Sequence, residues 1–126
     1  MTYTASVSRE DDMWLADVHG IDGAHAYARS LTKLRRELAN AIIVAADLDD
    51  DAEVDIAFEP ADPENALMAS AFAVAERRRS LARAHATVLD DTAALARRLV
   101  EAGWSVRDAA GALNITPGRI SQLVNS

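Results

Sequence analysis

The chain has 126 residues, no cysteine, half of its residues apolar and a formal net charge of −7. That length suits one ordinary domain or two small ones and leaves no room for a large barrel or a full dinucleotide-binding enzyme. The lack of cysteine excludes disulfide frameworks, thiolate metal sites and cysteine nucleophiles. The segment from Met1 to Arg9 alternates polar and apolar residues, without a basic start or a long apolar run. The expectation is a cytoplasmic protein with no signal peptide and no membrane partner.

An acidic chain should be repelled by nucleic acid, but the charge is unevenly spread. Residues 1–63 hold five basic and 14 acidic residues, a net −9, whereas residues 64–126 hold eight arginines and six acids, a net +2.

In chain order, Tyr3, Ala5 and Val7 alternate with Thr4, Ser6 and Ser8, which predicts a half-buried strand. A polar turn at Glu10-Asp11-Asp12 leads into a second alternating run, Met13 to Val18, and the two make a hairpin. Gly20 and Gly23 bracket an irregular loop. Ser30 is placed to cap a helix on which Leu31, Leu34, Leu38, Ala41, Ile42 and Ala45 form one apolar face. The run Asp47-Leu48-Asp49-Asp50-Asp51 ends that helix, since aspartate opposes the negative end of the helix dipole. Val54, Ile56 and Phe58 predict a third strand, stopped by Pro60 and Pro63. The fold class is therefore α+β, opening with a small ββαβ two-layer sandwich whose free strand edges invite a partner or a second copy.

From Glu64 to Ala102 there is neither glycine nor proline, so the stretch reads as helical. A break is expected between Thr87 and Thr92, with Asp90 or Asp91 capping a new helix that carries Leu95, Leu99 and Val100 on one face. Trp104 is expected in the core of the small C-terminal domain. Ser105 caps a short helix with Val106, Ala109, Ala110 and Leu113 inward. Asn114 then sits where a tight turn needs a residue tolerant of positive φ. Thr116 caps a second helix, with Pro117 in its first turn and Ile120, Leu123 and Val124 inward. The domain boundaries so read are 1–62, a connecting helix over 63–90, and an all-α domain over 91–126.

Other clusters carry less. Asp47 to Asp55 is a dense acidic run, but it lies in one loop and strand, whereas two-metal catalysis needs carboxylates converging from separate elements. It reads as a solvated or partner-facing patch, with Asp49, Asp50 and Asp51 its centre. His19, His25 and His85 have no short ligand spacing, and no nucleophile elbow or phosphate loop occurs. No catalytic residue, metal site or cofactor is expected. Trp14 is either a partner anchor on the outer face of the sheet or a core residue. Glu76-Arg77-Arg78-Arg79 with Arg83 reads first as a solvated helical stretch.

Residues 106–124, VRDAAGALNITPGRISQLV, resemble the helix-turn-helix of bacterial repressors, with Ala110, the turn Leu113-Asn114-Ile115-Thr116 and Ile120 at the matching positions. Asn114 stands where the family has glycine. The resemblance implies that Thr116, Gly118, Arg119, Ser121 and Gln122 face the major groove, with Arg107 and Arg97-Arg98 near phosphates. The alternative is an αα-hairpin closing a helical bundle.

Residues 3–58 resemble the HicB antitoxin family, a truncated ribonuclease-H-like sandwich. The resemblance rests on the hairpin YTASVSREDDMWLADV, on Gly23 in GIDGAHAYARSL and on the helix starting at Ser30-Leu31. The family's usual proline and second glycine are replaced by Asp22 and Ala28. The resemblance implies a type II antitoxin that neutralises a small basic, HicA-like messenger-RNA-cleaving toxin and represses its own operon through operator DNA. Repressors of this kind read paired half-sites, so a homodimer or higher even oligomer is expected, through strand edges or the alanine-rich helix that follows Glu64. The alternative is a stand-alone transcriptional regulator whose α/β domain senses a ligand or a protein.

Overall fold

The computed structural model describes residues 2–126 as an α+β chain with one four-stranded mixed sheet and four helices. It forms two compact units, Met1–Arg77 and Arg78–Ser126.

In the first unit, β1 (Thr2–Glu10) pairs antiparallel with β2 (Met13–Val18) and parallel with β4 (Asp55–Pro60). The hairpin turn is only Asp11-Asp12, with Asp11 at φ 54°. Between the loop of residues 20–23 and Ser30, where the sequence predicts no element, lies a further strand, β3 (His25–Ala28), antiparallel to β2. The sheet order is thus β3-β2-β1-β4, and the ββαβ expectation becomes βββαβ. Four residues with one buried side chain, Ala28, leave too little alternation for a strand to be read from pattern alone.

Helix α1 (Leu31–Ala45) begins at Ser30, whose hydroxyl accepts from the Lys33 amide at 3.1 Å. Leu34, Leu38 and Ile42 are fully buried against Ala5, Val7, Ala16, Val18, Ile56 and Phe58. Each of the large side chains contributes about 1.5–3 kcal/mol through burial. The helix closes with paired bonds from Leu48 N–H to the Ile43 carbonyl and from Asp47 N–H to the Val44 carbonyl, Asp47 lying at φ 53°. Aspartate ends the helix by adopting the left-handed position usually given to glycine, as well as through its charge.

Helix α2 (Ala66–Glu101) begins at Asn65, whose side-chain oxygen accepts from the Met68 amide, and runs without the expected break. Thr87 and Thr92 donate their hydroxyls to the carbonyls of Arg83 and Val88, one turn back, and so fit the helix interior rather than starting a new helix. Gly103 (φ 97°) ends α2.

In the second unit, α3 (Val106–Leu113) and α4 (Pro117–Val124) pack with the end of α2 around Ala96, Ala109, Ala110 and Ile120. Ala96 is the buried residue of α2 here, whereas Leu95 stays exposed and Leu99 and Val100 pack at the edge. Trp104 is 46 % exposed, contrary to its expected core position, and Val106 also points outward. The core is closed instead by Leu99, Leu113, Ile115 and Leu123 packed around Ala96, Ala109, Ala110 and Ile120.

Candidate nucleic-acid interface and partner surfaces

The local geometry of α3 and α4 follows from three short-range devices. Ser105 Oγ accepts from the Asp108 amide and Thr116 Oγ1 accepts from the Arg119 amide, each at 3.1 Å. Between the helices Asn114 adopts φ 59°, ψ 45°, and the Ile115 amide returns to the Ala110 carbonyl. These bonds satisfy amides and carbonyls that helix ends leave open, and they set the start of α4. Pro117 at the first position of α4 has no amide to lose.

With Ile120 fully buried, Thr116, Gly118, Arg119, Ser121 and Gln122 are all exposed. The Arg119 guanidinium donates to Gln122 Oε1 at 3.2 Å. Arg107 on α3 and Arg97 and Arg98 on α2 are exposed as well. Arg97 also donates to the Ser126 hydroxyl at 3.3 Å, tying α2 to the chain end. The second unit carries seven arginines against four carboxylates, the reverse of the balance in the first.

In the first unit, Trp14 is half-buried and packs against the core on the α1 side of the sheet, with Arg9 stacked 4.9 Å from its ring centroid. An anchor on the outer face is therefore excluded, because the period of two groups Trp14 with Ala16 and Val18. Asp49, Asp50 and Asp51 are exposed in the loop between α1 and β4. Among the described residues no three histidines or carboxylates converge as a metal-binding group.

The opposite face of the sheet carries a constellation that the sequence did not reveal. Ser6 Oγ and Glu59 Oε1 lie 2.6 and 3.2 Å from the same ring nitrogen, Nε2, of His19. A Ser-His-acid relay needs the acid on the other ring nitrogen, so this arrangement lacks the geometry of one. The sequence holds no signal for it, because the parallel pairing of β1 with β4 sets Ser6 opposite Glu59 across 53 residues.

On α1, Arg35 lies over the Phe58 ring at 4.0 Å and donates to the Ile56 carbonyl. Phe72 of α2 meets Phe58 edge-on, with ring centroids 5.5 Å apart. Beside α1 and β3 an open groove of about 650 Å³ is lined in part by His25, Tyr27, Lys33, Glu37 and Asn40.

Among the described residues no helix is long and apolar enough to cross a membrane. Compared with family models, curated proteins and solved structures, the chain matches none.

Proposed function

We propose that α3, the Asn114 turn and α4 form a helix-turn-helix that reads operator DNA. In this reading the chain is an antitoxin and autorepressor, working in the cytoplasm as a homodimer or higher even assembly, and it has no catalytic role of its own. The observation that carries the reading is the exposed pair Arg119 and Gln122 on α4, opposite the buried Ile120. Arginine pairs with guanine O6 and N7 and glutamine with adenine N6 and N7. Thr116, Gly118 and Ser121 lie along the same exposed surface, and Arg107 supplies a phosphate contact.

The N-terminal α/β layer is the surface for a small basic toxin. Its support is the HicB-like pattern and the acidic balance of residues 1–63, with Asp49, Asp50 and Asp51 exposed together. Such a charge balance steers a cationic partner.

A stand-alone regulator is the second reading, favoured by the groove beside α1 and β3, which could take a small polar ligand between Lys33 and Glu37. Co-expression separates the two. If the chain binds a small basic protein encoded next to its gene and relieves that protein's toxicity, the antitoxin reading holds. If no complex forms, while the chain still retards DNA from upstream of its own gene, the regulator reading replaces it.

A further inference from the structure

Helix α2 exposes large aliphatic side chains at intervals of seven residues. Leu67, Val74, Leu81, Val88 and Leu95 are 84, 50, 70, 59 and 42 % exposed. The stripe extends about 42 Å at 1.5 Å per residue. Isolated exposed leucines are ordinary, but branched aliphatics repeated at every heptad supply one of the two core positions of a two-stranded coiled coil. The residues next in chain to the stripe, Met68, Ala75, Ala82 and Leu89, are apolar and widen the seam as far as Ala96, which turns into the core of the second unit.

We propose that α2 pairs with α2 of a second copy of this chain, antiparallel, through this stripe. Charge decides the orientation. With the stripe at the d positions, the a positions include Arg78 and His85. Parallel pairing sets each of these against its own counterpart, arginine against arginine in the middle of the seam. Antiparallel pairing instead sets each d residue against an a residue of the other helix, so Leu81 meets His85 and Val88 meets the stem of Arg78, whose head can reach water. It also brings together the g positions along one edge. Exposed Arg77 then faces exposed Asp91 of the second copy, twice, around a twofold axis near Ala84. Parallel pairing gives Arg77 an alanine, Ala82, across the seam instead.

This inference does not rest on DNA binding, and its test uses the full chain without DNA. Sedimentation equilibrium of the wild type should give a dimer, and Leu81→Asp with Val88→Asp should give a monomer with unchanged helical circular dichroism, since both side chains are exposed in the single chain. Arg77→Glu or Asp91→Arg alone should raise the dimer dissociation constant roughly 3–10-fold, and the two together should restore it. The cysteine-free chain permits a direct check of orientation. Ala84→Cys should cross-link the dimer under mild oxidation, whereas Arg78→Cys should not, because its counterpart lies about 15 Å along the axis. A monomeric wild type, a dimer that survives the double aspartate variant, or cross-linking by Arg78→Cys in place of Ala84→Cys would overturn the proposal.

Discussion

The Nη1 atom of Arg119 donates to Oε1 of Gln122 at 3.2 Å, one turn further along α4. The bond holds two long side chains side by side on the exposed surface of the helix. Ordering them in advance lowers the entropy lost when both meet base edges. Arg119→Ala and Gln122→Ala should each cost about 1–3 kcal/mol of discrimination for the cognate site. Retardation of cognate and scrambled duplexes at one fixed salt concentration measures this. Equal losses on both duplexes would show that α4 does not read bases. Circular dichroism should be unchanged, since both residues are exposed.

Asn114 holds φ 59° between α3 and α4. Asparagine tolerates this region, glycine adopts it freely and a β-branched residue does not. Asn114→Gly should therefore change stability by no more than about 1 kcal/mol, while Asn114→Val should destabilise the second unit by about 1–2 kcal/mol. Urea unfolding followed by Trp104 fluorescence in a Trp14→Phe background checks both.

What the sequence reveals divides along the range of the interactions involved. Ser30, Ser105 and Thr116 each cap a helix start by accepting from an amide three residues on, and Asn114 takes its conformation from its own backbone. Such contacts are local, so residue type and position are enough to expect them. The alternation of β1, β2 and β4 is equally plain, because one face of each is buried. Strand β3 is missed because an edge strand of four residues is defined by its pairing with β2 and not by its own pattern. The expected break in α2 fails because threonine and aspartate are weak signals where neither glycine nor proline supports them. The neighbours of His19 depend on β1 pairing with β4 across most of the first unit, which no single segment encodes.

Leu38 is fully buried at the centre of the α1 face, between Leu34 and Ile42. Its truncation removes apolar contacts and leaves a cavity that neighbouring strands fill only partly. Leu38→Ala should destabilise the first unit by about 2–5 kcal/mol, read from Trp14 fluorescence in a Trp104→Phe background. The second unit, whose core is Ala96, Ala109, Ala110 and Ile120, should unfold at the wild-type midpoint when Trp104 is followed instead. A common shift of both transitions would show that the two units unfold as one.

Arg107, exposed at the start of α3, is placed in the proposed complex against a phosphate. A phosphate contact carries no base information, so Arg107→Ala should weaken cognate and scrambled DNA alike. Loss of one such contact should also reduce the slope of log affinity against log salt by about 0.9. A loss confined to the cognate duplex would move Arg107 from the backbone to a base edge.

Asp49, Asp50 and Asp51 are exposed together in the loop that follows α1. If they steer a basic partner, their charge acts during approach and is screened by salt. Replacing all three with asparagine keeps their size and should slow association at low salt about tenfold, with dissociation nearly unchanged. The difference from wild type should shrink as ionic strength rises past about 0.15 M, where the screening length falls to about 8 Å. Stopped-flow mixing with the co-expressed basic partner separates the two rates. Faster dissociation with unchanged association would instead make the aspartates direct contacts, and no change in either rate would place the partner's surface elsewhere on the first unit.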